Sequence, residues 1–436
     1  MNRILASVGL ALTTAVAVAL NVTCTGVPPV LLPGVGGGTP QPFSFSLRVA
    51  RHIDQEFSAG RLDTILAQAS SILQTVEEDC PDVSCPVTFQ RSGAIETFDG
   101  DTAIITSEAQ LDAVFAHPAD IKIVTLMVGV CGVSTPGEMT EILGCAVVGD
   151  SVVISQDAPF DVWAHEWGHV QGLPHRNDCW TNIMHSVALE TNAVDEGERD
   201  AFLSPTPSGL FFKAPPADKD DLGLSLRRQE DETPAAWVER VVSRRYIAGL
   251  PSAAVADAPL AETAALLEEA MWGEASAVQR RNAIRALGLL GDHELCPELI
   301  RLLDEFSGVL SAAELATASE ALLALGRLAG DDPTGQAVEY LIAATTPQTW
   351  SERGLVLRRA QAEDISLADA LGRISILSLG IADHPTARAH LLELSARVAA
   401  GRSSGPWLTE QVSEALARSQ AQVASLSTPP PTDRMP

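Results

Sequence analysis

Residues 165–175 read HEWGHVQGLPH, and no other stretch limits the fold of this chain so tightly. His165 and His169 are four apart, so on a helix they project from one face about a turn apart and can hold one ion through their imidazoles. Glu166 adjoins the first of them, where its carboxylate reaches a water on such an ion without binding the ion itself. Gly172 offers a left-handed position that ends a helix sharply. The turn after it brings His175 back as a third ligand. Three neutral nitrogens leave a fourth tetrahedral position open, which separates catalytic zinc sites from structural ones. With nine histidines in 436 residues, H-E-x-x-H alone arises by chance in about one such chain in a hundred. The added glycine and third histidine lower that by roughly another thousandfold.

A site of this kind needs a domain around it, and the length suggests two domains. From Phe43 the stretch FSLRVARHI alternates like a strand, and RLDTILAQASSIL has helical spacing at Leu62, Ile65, Leu66, Ala69 and Leu73. Strand-like runs follow at 86–89, 102–106, 121–130, 145–148 and 151–155, then a helix from near Pro159. VDEGERDAF closes the segment, with Asp195 and Glu198 spaced as a capping box. Residues 43–204 therefore read as a mixed α/β domain and 205–232, rich in Pro, Asp and Lys, as a linker. Residues 233–425 are Ala/Leu-rich and helical in period. Three segments there look alike, and aligning Gly288, Gly326 and Gly380 gives spacings of 38 and 54 residues. The first suits a helix-pair solenoid and the second a solenoid with an insertion; an irregular bundle is the alternative. Residues 426–436 read as a disordered tail. The linker has few residues able to pack across a boundary, so each half is expected to own its core.

The compartment follows from the N-terminus and the cysteines. Arg3 precedes an apolar run from Ile4 to Leu20, the layout of a secretory signal over 1–24, followed by a Pro/Gly-rich tether over 25–42. Cleavage after Ala19 and lipidation of Cys24 are both open, the lipobox residues being poor, and either places the mature chain outside the cytoplasm. Six cysteines remain besides Cys24, and five of them lie between 80 and 179, where an oxidising compartment favours bridges. Cys80–Cys85 and Cys131–Cys145 are candidates, with Cys179 able to take one of those partners, and Cys296 reads as a buried thiol. Asp plus Glu number 56 against 29 Lys plus Arg, a net charge of −27, which disfavours nucleic acid as a partner.

The pattern H-E-x-x-H-x-x-G-x-x-H, followed nine residues on by Met184 in TNIMHS, resembles the signature of the metzincin zinc endopeptidases. The spacing is close to that of matrixins, and the likeness covers about 43–204. It implies one Zn2+ held by His165, His169 and His175, Glu166 as catalytic base and Met184 as an apolar floor beneath the metal. The wall of the main specificity pocket would be Ser186 to Val194, with Val187 and Leu189 making it apolar. Two departures are visible. Ser186 stands where astacin-like relatives carry a tyrosine, and no cysteine-switch segment precedes the fold. The helical half resembles HEAT repeats. Histidines 52, 117, 293, 384 and 390 have no metal spacing and read as surface residues, while His185 reads as solvated or as a neighbour of the ligands.

The expected function is hydrolysis of peptide bonds in a protein or peptide substrate by a zinc-activated water, with Glu166 as general base. The CAVV run before the helix would be an edge strand on which an extended peptide pairs. The repeats would leave a long surface for a protein partner, and a membrane enters only through a lipid on Cys24. The alternative is an envelope scaffold acting through its repeats, with a vestigial peptidase domain.

Overall fold

The computed structural model describes residues 42–427 apart from 77–81, 132–138, 177–181, 186–192, 205–227, 229–231, 245, 247–248, 256–257, 259, 274, 359–364 and 403–407. The expected signal and tether, Cys24, Cys80, Cys179, the pocket-wall residues Ser186, Val187 and Leu189, nearly all of the linker and the last nine residues lie outside these. Among the described residues no helix is long and apolar enough to cross a membrane.

The first part of the chain is mixed α/β. Strands β2 (Val49–His52), β4 (Glu96–Phe98), β6 (Ile121–Val124), β9 (Gly144–Val147) and β10 (Ser151–Ser155) form one sheet in the order β4-β2-β6-β10-β9. All neighbours are parallel except β9, which runs antiparallel to β10 at the edge. Helices α1 (Ala59–Gln74) and α3 (Phe160–Val170) share its main core, where Phe57 stacks on Trp163. Strands β1 (Phe43–Leu47) and β3 (Val87–Arg91) make a parallel pair, and β5 (Ile104–Ile105), β7 (Leu126–Val128) and β8 (Glu141–Ile142) a third sheet.

Two strands expected to be continuous break between sheets, and a third break falls just before the expected run at 145–148. β1 gives way to β2 at Arg48, whose N–H donates to the Asp120 carboxylate at 2.7 Å and whose carbonyl accepts from Ile121. β6 gives way to β7 at Thr125, whose N–H donates to the Ala103 carbonyl. β8 gives way to β9 at Leu143, whose carbonyl accepts from Ser155. The apolar pattern runs through each break, so it does not show there. Among the candidate bridges, Cys131–Cys145 is formed. Cys85 is instead a buried free thiol, so the Cys80–Cys85 loop is not closed, and Cys296 is likewise buried and free.

The second part is helical: α5 (Pro234–Val242), α6 (Leu260–Trp272), α7 (Ala277–Leu290), α8 (Cys296–Glu305), α9 (Ala312–Leu328), α10 (Gln336–Ala344), α11 (Pro347–Ser351), α12 (Ala368–Ile381), α13 (Pro385–Ala399) and α14 (Leu408–Ser427). The insertion after α11 carries short strands β12 (Val356–Leu357) and β13 (Ile365–Ser366); β12 pairs with β11 (Val309–Leu310), and β13 with β12. The aligned glycines have one job. A Cβ on Gly288 would meet the backbone of Ala324, one on Gly326 the Ser378 carbonyl at 2.5 Å, and one on Gly380 the backbone of Ala415. Each lets its helix close on the next, giving an inner layer α7–α9–α12–α14, with α8, α10 and α13 outside it.

That inner layer is not a free surface. Each of its helices sends polar side chains into the α/β part. Arg281 on α7 pairs with Glu141, and Glu320 on α9 accepts from the Thr140 hydroxyl at 3.1 Å. Arg373 on α12 donates to Asp101 at 2.7 Å, and Gln411 on α14 bonds the hydroxyl and carbonyl of Thr106. Ile104, Leu126, Val128 and Met139 belong to the hydrophobic core of the helical part. Residues from Pro42 onward form one compact unit. The α/β part keeps a core of its own around α1 and α3, but the seam between the halves is packed and buried.

Candidate metal centre

The centre is built on α3. Every residue of this helix except Phe160 is buried. Trp163 and Trp167, four apart, face the sheet core, where Trp167 meets Phe45 and Phe89 edge-on. That fixes the helix rotation and points His165 and His169 the other way. The helix stops where expected: Gly172 has φ +88°, and its N–H and that of Leu173 close the last turn onto His169 and Gly168.

The chain then returns His175 to its partners. The Nε2 atom of His175 lies 3.3 Å from that of His165 and 3.1 Å from that of His169. The opposite nitrogens of two rings are engaged. His165 Nδ1 donates to the Ile183 carbonyl at 2.8 Å and His169 Nδ1 to the Leu173 carbonyl at 2.7 Å. A carbonyl can only accept, so both protons sit on Nδ1 and both Nε2 atoms present lone pairs. Burial holds His165 well below the ordinary histidine range, helped by the neighbouring His169 and His175, and brings His169 down to about 4. Convergent lone pairs on neutral rings repel one another unless a cation lies between them. The spacing fits that role, because nitrogens about 2.0–2.1 Å from a tetrahedral zinc stand roughly 3.3 Å apart. His165, His169 and His175 thus form a buried cluster able to hold a metal ion.

Glu166 lies beside this cluster and is 3 % exposed. Burial pushes its carboxyl up to about 8. Its other wall is the edge strand: a Cβ on Gly144, at the start of β9, would come within 2.4–2.6 Å of Glu166 Cγ, Cδ and Oε1. Met184 is fully buried, with its sulfur against Gly168, where a Cβ would stand 2.3 Å from it. Helix and methionine turn therefore meet between the two histidine positions. His185 is also buried, rather than solvated. So is His52, whose Nε2 donates to the Gly100 carbonyl at 2.8 Å.

Sequence reasoning did not single out what holds the turn. The Asn182 side chain accepts from the Met184 N–H at 2.7 Å and donates to Glu198 Oε2 at 3.0 Å. Glu198 is itself placed by the capping box with Asp195 at the start of α4 (Glu196–Phe202). The closing helix thus reaches the metal centre in three steps, through Glu198, Asn182 and the turn that offers the Ile183 carbonyl to His165. Asn two residues before Met184 in TNIMHS was the visible sign, since Asn favours such local side-chain-to-backbone turns.

No family model, no curated protein and no solved structure matches this chain.

Proposed function

We propose that the protein is a zinc-dependent endopeptidase with a metzincin-like catalytic part. The observation that carries this is the convergence of three imidazole Nε2 atoms beside a buried glutamate that packs against the outer strand of the sheet. Zinc held by His165, His169 and His175 would supply a Lewis acid, polarising the scissile carbonyl and making water acidic enough to attack near neutral pH. The chain's own residues do the rest. Glu166 takes a proton from the attacking water and passes it to the leaving amine nitrogen, so one carboxylate serves as base and then acid. A cation alongside favours its ionised form, opposing the burial that raises its pKa. The carbonyls of Ile183 and Leu173 keep two ligand rings in the correct tautomer and orientation.

Substrate binding falls to β9. Among the described residues it is the outer strand of its sheet, and an extended peptide would pair along it next to Glu166. The Cys131–Cys145 bridge supports an oxidising, extracytoplasmic setting. The stacked inner and outer helices support a HEAT-like array, whose inner face is covered within the chain itself.

The test is a pair of substitutions in the zinc-loaded protein. Glu166→Gln should retain one zinc per chain and lose at least a thousandfold in peptide hydrolysis, whereas His169→Ala should lose both. A Glu166→Gln protein of undiminished activity would refute the assignment.

A further inference from the structure

The segment leading into the edge strand is held from both halves of the molecule, by backbone pairing within the α/β part and by charged side chains from the helical half. The Met139 carbonyl accepts from two guanidiniums, Arg285 Nη1 at 2.7 Å and Arg327 Nη2. Glu320 lies between these arginines, 3.0 Å from Arg327 Nη1 and 3.7 Å from Arg285 Nη1, and its second oxygen takes the Thr140 hydroxyl. Arg285 also donates to the Leu250 carbonyl at 2.5 Å. Arg281 pairs with Glu141, the next residue along. Gly249, at φ +70°, passes so close to Thr140 that a Cβ there would stand 2.3 Å from its hydroxyl. Arg285 is 1 % and Glu320 3 % exposed, so these charges are dry and their geometry is fixed by packing.

Three residues beyond Glu141 the chain reaches Gly144, against Glu166. At about 3.4 Å per residue the gripped segment is roughly 10 Å from the base along the strand. Within the α/β part the same run is tied by the Thr140 carbonyl, which accepts from the Gly129 N–H at 3.0 Å, by the β8 ladder to β7 at Glu141 and Ile142, by the β10 ladder over 144–147 and by the disulfide at Cys145. None of these engages the Met139 carbonyl or the Thr140 hydroxyl, which the helical half holds.

We propose that Arg285, with Glu320 and Arg327, is a positioning residue for substrate binding. From the helical half it holds Met139–Thr140, and through it the approach to β9, in the one register that presents a peptide to Glu166. The proposal rests on the endopeptidase reading for its catalytic consequence, and it explains why the array is packed against the catalytic part. A peptide paired antiparallel to β9 runs, beyond its scissile bond, toward this clamp. Extended substrates therefore feel the clamp, and a substrate of one residue on either side of the scissile bond does not.

The experiment uses the full chain with zinc bound, comparing wild type with Arg285→Lys, which keeps the charge but cannot reach Met139 and Leu250 together. Two readouts are taken: hydrogen–deuterium exchange of 139–147 against 165–175, and kcat/KM for a ten-residue peptide against a blocked dipeptide. Exchange should rise in 139–147 alone, with zinc content unchanged. For the ten-residue peptide kcat/KM should fall about tenfold through KM, and for the dipeptide less than twofold. Unchanged exchange in 139–147, or an equal fall for both substrates, overturns the proposal. If Arg285→Lys does not fold, Thr140→Val removes one bond of the clamp at constant volume and is judged by the same two criteria. If wild-type protein cleaves neither substrate, the endopeptidase reading fails, while the exchange comparison still decides whether the clamp exists.

Discussion

A single methyl group on Gly144 should disable the base without touching the metal ligands. The added Cβ would stand 2.4 Å from Glu166 Cγ, 2.5 Å from Oε1 and 2.6 Å from Cδ. Ordinary carbon contacts lie near 3.5–4.0 Å, so something must yield by about 1 Å. β9 is laddered to β10 and tied by Cys145 to Cys131. The softer partner is the Glu166 side chain, which can swing away by rotation about its own bonds. The cost to folding is then modest, about 1–3 kcal/mol as for other small overpacking changes. The cost to catalysis is larger, because a 1 Å misplacement of a reacting group lowers rates about a hundredfold. Gly144→Ala should therefore keep one zinc per chain by elemental analysis and lose about a hundredfold in kcat/KM on a peptide. In a Glu166→Gln background it should add almost nothing, since the group it displaces no longer works. Full activity of Gly144→Ala, or an undiminished penalty in the Glu166→Gln background, would refute the placement of Glu166 under the edge strand.

Asn182→Ala leaves the Met184 N–H without its partner and takes one of two donors from Glu198 Oε2, which keeps the Asp195 N–H, so stability should fall about 1–3 kcal/mol in urea titrations; zinc affinity should fall about tenfold or more. Lys122, buried beside Ser151 and Asp150, is held by desolvation at about 8 against an ordinary 10.5, so its charging penalty is full below pH 8 and fades as pH rises toward 10.5. Lys122→Met should thus stabilise the fold by at most about 3 kcal/mol at pH 7 and by less at pH 10, and a wild-type-to-variant difference in melting temperature that does not shrink with pH would contradict this. Ending the chain near Asp220 uncovers Ile104, Leu126, Val128 and Met139, at about 1.5–3 kcal/mol each, a sum comparable to a domain's whole stability. The shortened chain should aggregate or unfold non-cooperatively, and a monomeric, zinc-binding, cooperatively unfolding product would show that the seam is dispensable.

Where the sequence alone sufficed, one local rule decided the outcome. α1 follows from Leu62, Leu66, Ala69 and Leu73 on one face, all buried. The cap of α4 follows from Asp195 and Glu198 alone. The three ligands and Glu166 follow from helix geometry and one glycine. The strand breaks at Arg48, Thr125 and Leu143 could not be read this way, because their causes lie far along the chain, in Asp120, Ala103 and Ser155. Gly144 and Asn182 share that difficulty. The first acts on a residue 22 positions away and the second on one 16 positions away.

The packed seam did leave a trace in the sequence, in the helices themselves. A helix on the outside of a two-layer array needs one apolar stripe, but α12 (ADALGRISILSLGI) is apolar almost all round, and nearly every residue in it is buried. A helix of that kind needs cover on both sides, and neighbouring repeats cover only one. The polar residues within such helices then carry the information. Arg285 on α7, Glu320 on α9 and Arg373 on α12 are all buried. A buried charge survives only where a partner meets it. Three such charges on successive inner helices imply a partner surface of matching polarity. In this chain Met139, Thr140 and Asp101 supply it, the first two on the segment that runs into the edge strand beside Glu166.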